Sequence, residues 1–131
     1  MALDAELFQA AVKARENAYI PYSHFGVGAA VRAKDGRIFT GCNIENASYG
    51  LTVCAERNAI FAAVKEGVRE FAALCVTADT PAPVAPCGAC RQVMAEVIRR
   101  YGRDFDVLMI GEEETVVIKA SSLLPFSFEY I

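Results

Sequence analysis

Two short segments constrain this chain more than anything else in it: Cys54-Ala55-Glu56 and, thirty-three residues on, Pro86-Cys87-Gly88-Ala89-Cys90. A fold that uses both must bring residues 54 and 87–90 to one point. Zinc binds thiolates, and three protein ligands leave the fourth tetrahedral position to water, the arrangement of a catalytic rather than a structural site. Cys54, Cys87 and Cys90 stand at the starts of predicted helices, where unpaired N–H groups and a partial positive charge favour the thiolate. Three thiolates on a dication leave a formal charge of about −1, and Arg57 and Arg91, each directly after a motif, are positioned to offset it by donating to the sulfurs. Glu56 follows Cys54 by two residues, about 200° around a regular helix, so the two do not grip one ion. Its carboxylate is left to act as a general acid–base catalyst, taking a proton from water and passing it to a leaving group.

Taken alone, Cys-x-x-Cys reads as well as a structural half-site or a redox pair as it does as a catalytic site; with Cys54 and Glu56 it becomes far more specific. A zinc-stapled binding module, with Glu56 a surface acid, and a thiol redox protein built on Cys87 and Cys90 are the readings from other classes. Cys42 and Cys75 fall inside predicted strands and read as plain buried thiols. The segment Met1–Glu6 lacks the basic start and apolar block of a secretory signal, so a cytoplasmic location is expected, where cysteines serve metal or redox chemistry. Hydrophobic residues make up 54% of the chain, yet no apolar run approaches the ~18 residues of a membrane span. Part of that surplus is expected between subunits. With 13 basic against 16 acidic residues and no cationic stripe, nucleic acid is not an expected partner.

The length fits one domain, residues 1–131. Leu3, Leu7, Ala11 and Ala14 predict an amphipathic helix over 3–19, stopped by Pro21. Strands are expected at 25–33 and 37–43 around the Asp35-Gly36 turn, and a helix buried on most sides from Cys54 to Glu66, stopped by Gly67. Phe71–Ala78 reads as a buried strand. Pro81, Pro83 and Pro86 extend the loop that delivers Cys87 to a helix ending at Tyr101, with Gly102 as its left-handed cap. Asp106–Ile110 and Thr115–Lys119 are further strands, followed by a Ser121–Leu124 turn and an aromatic tail. This order predicts an α/β fold, a three-layer α/β/α sandwich with a mixed five-stranded sheet.

The segments Pro21-Tyr22-Ser23, Phe25, Val27-Gly28-Ala29, Gly41 through Tyr49, Cys54-Ala55-Glu56-Arg57 and Pro86 through Gln92 together resemble the cytidine deaminase family, in its short homotetrameric form with zinc held by three cysteines. The resemblance covers nearly the whole chain. It implies hydrolysis of cytidine and deoxycytidine to the uridines plus ammonia, in pyrimidine salvage, with no organic cofactor. It implies Cys54, Cys87 and Cys90 as ligands of one zinc per subunit, Glu56 as proton shuttle, and Asn43 with Glu45 as the pair holding the sugar 3′-hydroxyl. Two residues apart on a strand, such a pair faces one side. Phe25 resembles the aromatic wall beside the base and Phe126 the wall contributed by another subunit; Ala47, Tyr49 and Ala55 complete the lining. His24 and Gly26 depart from the lysine and proline that flank this phenylalanine in many relatives. A blasticidin-type aminopyrimidine nucleoside deaminase, which shares the Pro-Cys-Gly-x-Cys-Arg-Gln motif, is the alternative enzyme; Asn43 and Glu45 argue against it. A nucleic-acid editing deaminase is disfavoured by the acidic balance and the three-cysteine set.

Overall fold

The Asp35-Gly36 pair turns the chain as expected. Gly36 adopts φ 97°, its N–H donates to Ala33 O at 2.9 Å, and Ala33 N donates to Arg37 O at 2.8 Å. This joins β1 (Val27–Ala33) to β2 (Ile38–Cys42) as an antiparallel hairpin. The computed structural model describes residues 4–130. The other edge of β1 pairs antiparallel with β3 (Phe71–Ala78), β3 pairs parallel with β4 (Asp106–Ile110), and β4 antiparallel with β5 (Thr115–Lys119). The sheet order is β2-β1-β3-β4-β5. Its one parallel pair needs a long crossover, which α3 (Gly88–Tyr101) supplies.

Alternate residues of each strand face opposite sides, and both sides are covered. Ala29, Val31, Leu74, Val76 and Val107 pack with α3 and α2 (Ala55–Lys65), while Ala30, Cys75, Leu108 and Ile110 pack with Leu7 and Ala11 of α1 (Ala5–Arg15). The result is the three-layer sandwich that the sequence predicts. Two strand glycines set how closely the helices approach. A Cβ on Gly28 would stand 2.0 Å from Ala11 O in α1, and one on Gly41 would stand 2.5 Å from both Ala55 O and Ala59 N in α2.

Three boundaries differ from the sequence expectation. Helix α1 stops at Arg15 rather than 19, because the chain beyond is drawn into a bridge: Tyr19 N donates to Asn43 O at 3.0 Å and Glu45 N to Tyr19 O at 2.9 Å. The helix was expected to begin at Leu3, which lies outside the described residues. Strand β1 starts at Val27, since Phe25 N is bound by Ser23 Oγ and His24 sits at φ 58°. Strand β2 ends at Cys42, which leaves Asn43 and Glu45 off the strand. Helix α2 buries Ala55, Glu56, Ala59, Ile60 and Ala63 on one face and exposes Phe61, so its apolar surplus is not all internal.

Asp4 caps α1 by accepting from Leu7 N at 3.0 Å and also accepts from Arg32 Nε at 2.7 Å and Nη2 at 2.9 Å. The Arg32 guanidinium holds this carboxyl below the ordinary carboxylate range; burial opposes the shift and the Leu7 N–H adds to it. A depressed folded-state pKa gives stability that is complete above the unfolded value and is lost as the pH falls through the folded one. Asp4→Asn, which keeps the cap, should therefore flatten the fall of unfolding free energy below about pH 4. Denaturant titrations from neutral to acidic pH that give parallel curves for both proteins would refute this.

Candidate metal centre

Helices α2 and α3 begin beside each other, and each carries a cysteine at its N-cap. Cys54 (φ −71°, ψ 158°) precedes α2, Cys87 (φ −71°, ψ 171°) precedes α3, and Cys90 follows in the first turn of α3. The proline-rich approach brings Cys87 Sγ to 3.6 Å from Cys54 Sγ, and Cys90 Sγ lies 3.6 Å from Cys87 Sγ. All three sulfurs fall within 4.8 Å of one another, and among the described residues no fourth His, Cys, Asp or Glu joins the group. Tetrahedral zinc with Zn–S near 2.3 Å separates its sulfurs by roughly 3.8 Å. The triangle therefore fits that ion with one position to spare.

The surrounding charges suit the same ion. The Cys54 thiol is pushed down to about 5, chiefly by a hydrogen bond from Cys90 and then, against burial, by Arg57 and Cys87. Cys90 is pushed up, because it shares its proton with Cys54 and is buried. Arg57 Nη2 donates to Cys54 Sγ at 3.4 Å. Burial disfavours the guanidinium charge, but its hydrogen bonds to the sulfurs of Cys54 and Cys90 more than offset this and raise its pKa. Arg57 Nε is buried without a hydrogen-bond partner, so the guanidinium sits where its charge rather than its full donor set is satisfied. Glu56 is 4% exposed, and burial, reinforced by the Cys54 charge, raises its carboxyl to about 7.

Arg91 does not share the task expected of it. Its Nε donates to Pro86 O at 2.8 Å and its Nη1 to Leu123 O at 3.0 Å, so it braces the loop before Cys87 against the chain after β5 rather than donating to a sulfur.

Asn43 and Glu45 stand on either side of Ile44, which bridges to Tyr19 and Val53. Asn43 Oδ1 accepts from Val27 N at 2.9 Å and Nδ2 donates to Phe25 O at 2.8 Å. Glu45 Oε1 accepts from Tyr22 N at 3.0 Å and Ser23 N at 3.1 Å, and Oε2 accepts from Ser23 Oγ. Both side chains thus hold the turn that presents Phe25. A groove of about 380 Å3 lined by Tyr22, Ser23, Glu45, Asn46, Tyr49 and Thr52 opens beside them. A larger hollow of about 460 Å3, by Lys34 and Arg69 at the hairpin turn, contains no candidate residue. Ala55 is buried, whereas Ala47, Tyr49 and Phe126 are exposed. Two positioning residues escaped sequence reasoning. Ser23 links Glu45 to Phe25 N, and Asn58 Nδ2 donates to Cys42 O at 2.8 Å, tying the end of β2 to α2. The long-range half of each link lies out of sight of the local sequence, since Glu45 is 22 residues from Ser23 and Cys42 is 16 from Asn58.

The family model for the cytidine and deoxycytidylate deaminase zinc-binding region matches residues 1–101. The chain belongs to this deaminase family. A cytidine deaminase of Sporosarcina psychrophila is 56% identical over 88% of this chain and 84% of its own length. The crystal structure of a cytidine deaminase from Burkholderia pseudomallei superposes with a TM-score of 0.89 at 48% identity, covering 97% of this chain and all of that one. A blasticidin-S deaminase of Bacillus cereus stands further off, 30% identical over 95% of this chain and 91% of its own. The cofactor of this family member is zinc, and the thiolate triangle is the group able to hold it.

In this deaminase-family chain Arg57→Ala removes the cation that helps hold the Cys54 thiol down. The thiols then keep their protons to higher pH, and protons compete with the metal for sulfur. Both the midpoint of zinc uptake and the acidic limb of the pH–rate profile should move to higher pH, with Arg57→Lys intermediate. Metal-competition titrations across pH with an unmoved midpoint would remove Arg57 from this role.

Proposed function

We propose that this chain, acting as a single domain, is a zinc-dependent cytidine deaminase that hydrolyses cytidine and deoxycytidine to uridine and deoxyuridine plus ammonia, in pyrimidine salvage. The observation that carries this reading is a triangle of three sulfurs with one tetrahedral position left open and a buried carboxyl, Glu56, beside it. Zinc, when bound, supplies Lewis-acid activation of water at that position. Glu56 does the proton work. A carboxyl raised towards neutrality by burial accepts a proton and returns it readily, and a neighbouring dication favours its ionised, accepting form. In this reading Glu56 takes a proton from the attacking water and delivers it to the pyrimidine ring nitrogen. The oxygen adds to the carbon bearing the amine, Glu56 carries the remaining proton of that hydroxyl to the amino group, and collapse of the tetrahedral carbon expels ammonia and leaves the carbonyl of the uridine.

Counting hydrogen-bond capacity supports the sugar assignment. A carboxylate has about four acceptor sites; Glu45 spends three on Tyr22 N, Ser23 N and Ser23 Oγ, so one remains. Asn43 Nδ2 spends one of its two hydrogens on Phe25 O, so one donor remains. One spare acceptor and one spare donor are together the complement of one hydroxyl, as the sugar 3′-hydroxyl would require. The negative charge of Glu45 also opposes a phosphorylated sugar, which favours nucleosides over nucleotides. Phe25, Ala47, Tyr49, Ala55 and Phe126 complete the proposed lining.

On one chain that lining is open. Cys87, Ala47 and Tyr49 lie on the surface, and Phe126 stands fully in solvent. The reading therefore includes a homotetramer whose subunits close each other's active sites, supported by exposed Phe61, Tyr49, Leu51, Phe126 and Phe128. Among the described residues no helix is long and apolar enough to cross a membrane. A ligand set of thiols that oxidation would destroy supports a reducing cytoplasm. The test is the ultraviolet change on mixing purified protein with cytidine, with zinc analysis and sedimentation on the same sample and blasticidin S as the competing substrate. Absence of stoichiometric metal, or turnover of blasticidin S alone, would overturn it.

A further inference from the structure

Residues 124–130 run along α3 in an unusual way. Among the described residues no backbone–backbone hydrogen bond holds this segment. Side chains of α3 hold it instead. Gln92 Nε2 donates to Phe128 O at 2.9 Å, Arg99 Nε donates to Ser127 Oγ at 2.9 Å, and Arg99 Nη1 pairs with Glu129 Oε2 at 2.6 Å. Gln92 and Arg99 lie seven residues apart, two turns along one face of the helix. At the base of the arm, Arg91 Nη1 grips Leu123 O.

The arm is also inside out for a segment lying on its own protein. Polar Ser127 and Glu129 turn towards α3, while Phe126, Phe128 and Tyr130 between and beyond them stand in solvent. Phe126 has φ 54°, a left-handed conformation that a bulky residue adopts only when its surroundings impose it. Anchors on both sides, at Leu123 and at Ser127 to Glu129, impose it here. Burial offers no return to this chain, because Phe126 touches solvent on all sides.

We infer that Gln92 and Arg99 are positioning residues, whose grip on the polar edge of the arm holds Phe126 ready for the substrate pocket of a second copy of this chain. The occupant is a second copy because the proposed site on each chain lacks a wall over Tyr49 and Cys87, and an aromatic ring is what each chain holds out. The inference rests on the reading of Phe126 as a wall of another subunit's site.

The experiment is a mutant cycle on the zinc-loaded enzyme: Phe126→Ala, Gln92→Ala with Arg99→Ala, and all three together, with Arg99→Lys as the conservative variant. KM for cytidine, kcat, zinc content and sedimentation are measured for each. Loosening the arm should raise KM roughly fivefold with kcat and zinc content nearly kept, since the lost contact is one of binding. Arg99→Lys, which keeps the Glu129 pair, should recover part of the loss. The triple variant should be no worse than Phe126→Ala alone, because all the changes act through one ring. Additive losses, an unchanged KM in the Gln92 and Arg99 variant, or dissociation of its assembly in place of a KM change would overturn the inference while leaving Phe126 as a wall. A wild-type KM in active Phe126→Ala would instead overturn the wall itself, and the positioning role with it.

Discussion

Glu56→Ala should leave zinc bound and reduce turnover of cytidine by at least about 10³-fold, within the range that a positioned acid–base group contributes. The metal is expected to stay because Glu56 is not among the three sulfur donors. Turnover is expected to fall because Glu56 is the buried carboxyl beside them, and burial tunes it to about 7. Glu56→Gln sharpens the experiment. It preserves volume and hydrogen bonding at a buried position but carries no proton between water and base, so it should be as inactive as the alanine variant. Each competing class predicts otherwise. A structural zinc module keeps its function without Glu56, and a redox pair at Cys87 and Cys90 cycles through a disulfide without needing zinc at all. Steady-state assays with metal analysis decide among the three, and either variant retaining a tenth of wild-type kcat would end the proton-shuttle role.

Gly41→Ala should destabilise the protein by about 3 kcal/mol or more, the upper part of the range for overpacking a close-fitting interface. The added methyl would lie 2.5 Å from Ala55 O and Ala59 N, which are backbone atoms and cannot swing aside as a side chain would. Helix α2 must lift. Because its N-cap is Cys54 and its first turn carries Glu56, the lift should also weaken zinc binding. Gly28→Ala is the internal control. Its methyl would lie 2.0 Å from Ala11 O, but in α1 on the opposite face of the sheet, so it should cost comparable stability and spare the metal. Chemical denaturation and zinc competition on both variants separate the two effects. Equal zinc affinity in the two would show that α2 does not transmit the strain.

Most of the fold was legible in the sequence because most of it depends on local signals. The strands Phe71–Ala78, Asp106–Ile110 and Thr115–Lys119 lie where apolar runs bounded by turn residues place them, and Gly36, Gly67 and Gly102 all adopt the positive φ their positions demand. The cysteines were legible for the same reason, since a helix start is a local event. What the sequence concealed is side chains whose partners are distant in the chain. Arg91 sits as near to the thiolates in sequence as Arg57, yet Leu123, 32 residues on, claims one end of its guanidinium. Asn43 and Glu45 read as strand residues sharing a face, but their hydrogen bonds to the turn at residues 22–27 bend that stretch into a clamp. The end of α1 was missed because a bridge to Ile44 outweighs the helical propensity of residues 16–19.

The 3.6 Å contacts that suit the sulfur triangle to a metal carry a liability whenever the protein is stripped of it. A thiolate formed as low as about pH 5 then rests against neighbouring thiols, the arrangement from which a mild oxidant draws a disulfide. The S–S bond is near 2.05 Å, so such a link would pull the starts of two helices together and forbid the ion's return. Zinc in this chain therefore guards its own binding site against air, and chelated stocks keep their capacity for reloading only under reductant.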